Sequence, residues 1–461
     1  MSHLRAYQHC GSVRYREKSE IMVRPCIGIV TVRHSGGDGL DLVHRAADRA
    51  ELPVGSGGFG SLIPAGLHSS RQGSETEYIS GRRSRRPLLQ LPEKWQPEIR
   101  GVGRPIRESW RIARRCTGFL LACGALAACG STALHSAPAV AQLKVPRGFH
   151  VQLVASGLHE PTSLAYGPDH RLYVTQLHGG ENAGNGQVVV LDPRGGSTIV
   201  LSHLEKPTGL VWLGRELYIQ AGRDILRARL KDGGGVTAPA TIVRRLPFNG
   251  RSEGQLDLTA AGTILFEASG LVGESGAGRL LTLSSSGRVR TLATGFKNAY
   301  AHALDSRNGD IFTTDIGQDY VNGNPPPEEI DLIKRRGNYG WPRCYGDRLP
   351  ARNFHGTASY CATTESPIIT FPPHSTPTGL TWYGRADFPA GYRDVLYVAL
   401  FDGTPAQIDR VTLHPRGGRM VGTATRFLIG LERPIDVLPD QQRGLLVLDF
   451  ASGSIVRLVA G

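Results

Sequence analysis

Two short stretches have the residue types and spacing of known chemistry. In "GRSEG", residues 250–254, a G-x-S-x-G spacing would set Ser252 on the sharp strand-to-helix turn of a serine nucleophile. The residues that follow, "QLDLTAAGTILF", have a strand pattern, so no helix is expected there and a loop with incidental glycines is the simpler reading. In "GSGGFG", residues 55–60, the G-x-G-x-x-G of a phosphate-binding turn is satisfied. Pro53 interrupts any preceding strand and no helical period follows, so a nucleotide site is not expected. Lys297 and Asn298 stand together before an apolar segment, where they either line a site or form a solvated, asparagine-led turn.

The elements that must position such residues repeat along the chain. The segments "PTSLAYGPDHRLYVTQ" from Pro161, "PTGLVWLGRELYIQAG" from Pro207, "GQLDLTAAGTILFEAS" from Gly254 and "NAYAHALDSRNGDIFTTD" from Asn298 share one pattern. So do "PTGLTWYGRADFPAGYRDVLYVAL" from Pro377 and "PIDVLPDQQRGLLVLD" from Pro434. Each is an apolar strand, a polar turn and a second apolar strand. Leu164, Leu210, Leu256 and His302 occupy matching places 46 residues apart, and the next steps, to Leu380 and Asp436, are 78 and 56. Six such units define an all-β chain, a six-bladed β-propeller over residues 142–461. "GFHVQLVAS" (148–156) is expected to close the ring beside "GSIVRLVA" (453–460). His302, at a place held elsewhere by leucine, reads as a hydrogen-bonded core histidine.

The basic character lies elsewhere. The net charge is +13, but residues 1–115 hold 20 Lys/Arg against 11 Asp/Glu, leaving 33 against 29 for the rest, so nucleic-acid binding is not expected of the propeller. Residues 1–110 lack any sustained period and read as a disordered extension. Residues 111–141 read as an export signal: Arg111, Arg114 and Arg115 precede a short apolar run too brief to span a bilayer. That run ends in Leu126-Ala127-Ala128-Cys129-Gly130, which resembles a bacterial lipobox with Cys129 as the lipidated residue. Cleavage after Ala139-Val140-Ala141 and a buried core helix are the alternatives. Because this signal begins deep in the chain, a start downstream of Met1, near Val102, is expected. Of the seven cysteines only Cys344 and Cys361 lie in the propeller, and export predicts a disulfide between them, with two free thiols as the alternative.

The run from Gly295 to Gly346, with "GFKNAYAHALD", "TTDIGQD" and "PPEEIDLIKRRGNYGWPRCYGD", resembles the soluble glucose/sorbosone dehydrogenases, as does "HSTPTGLTWY" at 374–383. The resemblance implies a six-bladed propeller that uses pyrroloquinoline quinone (PQQ) with calcium to oxidise a sugar or polyol. A histidine takes the hydroxyl proton and basic side chains hold the cofactor's carboxylates. Carried over residue by residue, it implies cofactor contacts at Lys297, Asn298 and Arg433. It implies calcium ligands at the main-chain carbonyls of Gly317 and Gln318, and a structural calcium at Glu329. The sequence departs from the family where the proton acceptor is expected, which is Arg251. Arginine is not a general base, and Glu253, two residues on, is the candidate substitute. An expected acid is Gly270, an expected lysine is Phe401, and one of two last-blade arginines is Ile435. The implied protein is an exported, lipid-anchored quinoprotein with an unnamed electron acceptor. Two alternatives stand beside it. One is a non-catalytic binding propeller. The other is a lactonase-like propeller holding calcium through Asp257, Asn298 and Asp315.

Overall fold

The computed structural model describes residues 140–461 other than Ser252. The predicted extension, the export signal up to residue 139, Cys129, the "GSGGFG" string and Ser252 lie outside the described residues. Six four-stranded antiparallel sheets account for nearly all of the regular structure. Blades I to V follow chain order from inner to outer strand, over residues 161–204, 207–243, 257–294, 302–371 and 377–429. Blade VI takes three strands from residues 434–460, and its fourth, outermost strand is Phe149–Ala155. That strand runs antiparallel to Ser454–Ala460, from Phe149 opposite Ala460 to Ala155 opposite Ile455. The ring is therefore closed by the two ends of the described chain, as the sequence predicts.

Why these segments form a ring follows from their burial. The second strands are buried almost throughout, as in Leu217–Ala221 and Leu396–Leu400, because both faces are covered by neighbouring blades. The innermost strands of successive blades touch all the way round, and the last returns to the first. At four blades the inner strand begins with a proline and a bulge: Pro161 pairs with Gln176 and Ser163 with Thr175, and the same shift recurs at Pro207, Pro377 and Pro434. The residue after each bulge must approach the next blade closely. A Cβ on Gly209 would lie 2.6 Å from Leu256 N, and one on Gly379 would lie 2.7 Å from Asp436 Cα. Thr162 Oγ1 donates to Pro207 O across the same junction (2.7 Å), a bond worth about 1 kcal/mol.

This register corrects one equivalence. Asp436 opposes Leu448 directly after the blade VI bulge, so it matches Ser163 and Gly209, and Val437 is the true counterpart of Leu164. The slip arises because a bulge adds a residue that a plain repeat count cannot place. Asp436 instead ties blade VI to blade I, accepting from Leu164 N (2.8 Å) and Ser163 Oγ (3.1 Å). His302 behaves as a core histidine: it is 3% exposed, and its Nδ1 is 3.0 Å from Thr313 Oγ1. Burial lowers its pKa to about 3.

The long step between blades IV and V is an insertion within blade IV, between Leu332 and Ile369. It folds as a small hairpin, Cys344–Tyr345 with Leu349–Pro350, followed by a helical turn at Ala358–Cys361. Cys344 and Cys361 form the expected disulfide. Tyr339 anchors the insertion by donating its hydroxyl to Leu332 O (2.7 Å).

Candidate functional site

Each inner strand starts, and each second strand ends, at one and the same end of the blade, so the connecting turns from all blades gather around one mouth. A single backbone bond organises them. The N–H that follows the second strand donates to the carbonyl of the residue that precedes the inner strand: Leu177 to Glu160 (3.0 Å), Gly222 to Lys206 (3.2 Å), Ile316 to Asn298 (3.0 Å), Phe401 to Thr376 (3.0 Å) and Phe450 to Arg433 (2.9 Å). In blade III the corresponding N–H, of Ser269, donates to the Glu253 carboxylate (3.1 Å). The fold thus brings equivalent backbone positions of the blades to the mouth.

Three exposed or half-exposed cations stand there on different blades. Arg251 projects from blade III, its side chain 72% exposed, with Asp319 at 3.6 Å. Lys297 projects from blade IV. Arg433 projects from blade VI, its guanidinium 5.2 Å from the Phe401 ring centroid and 3.5 Å from Asp402. A fourth cation, Lys206, is buried beneath them. Its Nζ donates to Arg251 O and faces Glu181 at 3.4 Å, so it props the Arg251 turn rather than meeting solvent.

Below Lys297 lies a cavity of about 20 Å³, room for one water or ion, bordered by Asp315, Gly317, Gln318, Glu329, Trp341 and Tyr345 among others. Asp315 accepts from Lys297 N (3.0 Å) and Asn298 N (2.7 Å), and burial raises its pKa to about 6. Glu328 accepts from Gly317 N (2.6 Å), and burial raises it to about 7. Glu329 accepts from Gly346 N (2.5 Å) and is raised to about 8, first by burial and then by the nearby Asp315 charge. Asp331 is buried with neither carboxylate oxygen hydrogen-bonded, and burial with the adjacent Glu329 holds it well above its ordinary value. Buried acids this close cannot all ionise without a compensating cation. Among the described residues no three His, Cys, Asp or Glu side chains form a metal-binding group. A cation here would have to draw on main-chain oxygens, which Gly317 and Gln318 could supply.

The sequence candidates separate in space. Lys297, Gly317, Gln318 and Glu329 border one cavity, and Arg251 and Arg433 stand at the mouth. Asn298 turns inward: it is 5% exposed and its Nδ2 donates to Glu267 in the seam between blades III and IV. Glu253 does not share a face with Arg251. It is 1% exposed and accepts from Ser269 Oγ (2.8 Å), so it is not presented to a substrate. Its pKa is raised to about 8 by burial. Asp315 accepts from Asn298 N, while Asp257 accepts a local bond from Leu258 N, so two of the lactonase-like trio are joined and Asp257 stands apart. The departures from the family are built into the packing. A Cβ on Gly270 would sit 2.5 Å from Ala277 Cβ, Phe401 carries Arg433, and Ile435 lies in the core. Sequence reasoning missed Glu267, Glu328 and Asp331, although "FEAS" and "EEID" place acids inside apolar strands. It also missed Trp341, whose buried Nε1 has no partner at the cavity wall.

A closed ring of six four-stranded blades, with a basic mouth above a cavity bordered by buried acids, defines the architecture as a six-bladed propeller. Residues 281–457 match the family described as "Glucose / Sorbosone dehydrogenase". The chain is 18% identical to the PQQ-bound aldose sugar dehydrogenase of Streptomyces coelicolor, with 68% of this chain and 99% of that one covered and a TM-score of 0.53. It is 17% identical to the calcium structure of a Trichoderma reesei carbohydrate-active enzyme of family AA12, with 70% and 97% covered and a TM-score of 0.58. At such identities the likeness concerns the fold. A curated relative from Borreliella burgdorferi, described as an uncharacterized protein, is 24% identical over 181 residues, 36% of this chain. The match spans about half (48%) of that relative's length.

Proposed function

We propose that this protein is an exported quinoprotein oxidoreductase that oxidises a CH–OH group of a sugar or related polyol, using PQQ with calcium. The observation that carries the reading is the pairing of Arg251, Lys297 and Arg433 around the mouth with the acid-bordered cavity directly beneath Lys297. The two halves suit a polycarboxylate cofactor and a divalent cation, respectively. The residues fit these groups: Trp341 Nε1 is a buried donor at the cavity wall that lacks a partner, and Asp315 and Glu329 border the same cavity. When bound, PQQ would supply the two-electron acceptor. Arg433 and Lys297 would hold its carboxylates, the Gly317 and Gln318 carbonyls would face the cation, and Lys206 would fix the Arg251 turn.

Export through residues 111–141 and lipidation at Cys129 belong to the same proposal, supported by the Cys344–Cys361 disulfide, which suits an oxidising compartment. Mass spectrometry of the native N-terminal peptide tests this: a diacylglyceryl-cysteine at residue 129 is expected, and an unmodified N-terminus near Met1 would refute it. A second reading, a binding propeller without turnover, is favoured by Arg251 at the position of the family's proton acceptor. Titration of purified protein with PQQ and Ca²⁺, followed by dye reduction over a sugar panel, separates the two. Binding with turnover is expected, binding without turnover favours the second reading, and no binding removes PQQ from both.

A further inference from the structure

The 46-residue period places His159, Glu205, Arg251 and Lys297 at one equivalent position in four blades (159 + 46 = 205, 205 + 46 = 251, 251 + 46 = 297). Each directly precedes the residue that leads into its inner strand, and the turn bonds confirm the equivalence for blades I, II and IV. Lys297 borders the cavity and Arg251 projects at the mouth, so the same backbone geometry brings the exposed His159 to the rim from blade I. The matching residues of blades V and VI are Ser375 and Glu432. Of the six, histidine is the residue type suited to taking and releasing a proton near neutral pH.

His159 is also held in place. Its backbone N–H donates to Gln176 Oε1 (3.0 Å), and Gln176 Nε2 donates to Gln187 (2.7 Å), so the turn is tied to buried blade I. Its imidazole meets that of His178 edge-to-face, centroids 4.9 Å apart at 83°. His178 Nδ1 is buried and has no hydrogen-bond partner. The charged groups alongside are engaged elsewhere. Glu160 accepts from Gly179 N (3.2 Å) and Gly180 N (2.6 Å), and Glu181 faces Lys206. Another exposed imidazole on this face, His374, lies two residues before the blade V turn residue Thr376, one position out of register with His159.

We propose that His159, positioned by His178, is the proton acceptor of the reaction, taking the role that Arg251 cannot fill. The inference rests on the reading of the protein as an alcohol-oxidising quinoprotein. In the step, the carbinol C–H and O–H bonds break and a carbonyl forms. The carbon-bound hydrogen leaves with its electron pair as hydride, for which the ortho-quinone, when bound, would supply the two-electron acceptor. The hydroxyl proton passes to a ring nitrogen of His159 and then to solvent.

The test compares wild-type protein with His159→Gln, His178→Gln and His374→Gln, each loaded with PQQ and Ca²⁺. PQQ affinity is read by fluorescence titration, and turnover by dye reduction across pH. Carbethoxylation by diethyl pyrocarbonate is mapped by mass spectrometry with and without sugar. His159→Gln should keep its PQQ Kd within about 2-fold, lose about 10²- to 10⁴-fold in kcat, lose the acidic limb of the pH profile and recover activity with added imidazole. Sugar should slow carbethoxylation of His159. His178→Gln should move the acidic limb with a smaller loss, and His374→Gln should behave as wild type. Full kcat in His159→Gln, a loss confined to KM, or protection that falls on His374 would overturn the assignment while leaving the quinoprotein reading intact. Wild-type protein that neither binds PQQ nor turns over would overturn both.

Discussion

Arg433 illustrates how a single side chain is prepared for a ligand. Its guanidinium is held over Phe401, an aromatic contact that orders it without using its hydrogen-bonding edges, and Phe401 packs in turn on Phe450 (5.5 Å). A charged hydrogen bond contributes about 1.5–3 kcal/mol, so Arg433→Ala should weaken PQQ binding about 10- to 100-fold in a fluorescence titration. Arg433→Lys should recover only part of this, because the planar fork is lost. Arg251→His tests the opposite property. If the proton acceptor has moved to blade I, this change should leave kcat within about 2-fold of wild type, whereas a large gain would return the role to blade III. The residue scale is also where the sequence was least legible. Arg251 and Arg433 could be read from motif position. The inward turn of Asn298 and the burial of Glu253 depend on Glu267 and Ser269, which the chain brings in from a neighbouring strand.

At the scale of elements, the junction between blades III and IV differs from the others. Most of the apolar clusters lie between or within blades, yet this junction also buries Glu253, Glu267, Asp315 and Asp331, with Lys297 as a nearby cation. Burial holds their proton affinities above those of the unfolded chain. Their contribution to stability is therefore fully present below the ordinary carboxylate range and is lost as pH rises through the folded values, about 6 for Asp315 and about 8 for Glu253, with Glu267 and Asp331 also held well above their ordinary values. Thermal unfolding with a chelator present should show Tm falling between pH 5 and pH 8.5. Calcium should raise Tm most at the alkaline end, and Glu267→Gln should flatten the decline. A Tm that climbs over this interval without added cation would contradict the account. The insertion of blade IV is a second element with a measurable role. It supplies Gly346 N to Glu329 and Cys344 to the cavity wall. Replacing Cys344 and Cys361 by serine should cost about 3 kcal/mol under the chain-entropy model, seen as a lower Tm in calorimetry. The insertion was legible as a longer repeat step, but its hairpin and its contact with the acids were not.

The propeller is held shut by the two ends of the described chain. Phe149 sits at the start of the closing strand and packs edge-to-face on Phe388 (4.9 Å) and Phe427 (5.0 Å) of blade V. The closing strand therefore bonds within blade VI and also packs on its neighbour. Phe149→Ala should cost about 3–5 kcal/mol, measured by denaturant unfolding. A chain begun at residue 142 should stay monomeric in size-exclusion chromatography. One begun at residue 156 would expose Ser454–Ala460 as a bare edge and should aggregate. Blade number and closure were legible in the sequence because they rest on repeated apolar strands and turns. The misplacement of Asp436 by one residue shows the limit, since bulges are set by how the inner strands crowd at the hub.

The turn bond shared by five blades has one more consequence. Because the same carbonyl receives the same N–H at Glu160, Lys206, Asn298, Thr376 and Arg433, each of these five blades presents the same backbone frame to the hub. That bond uses main-chain atoms alone, so it does not depend on which side chain a blade carries there, and the residue facing the hub can differ from blade to blade within one frame.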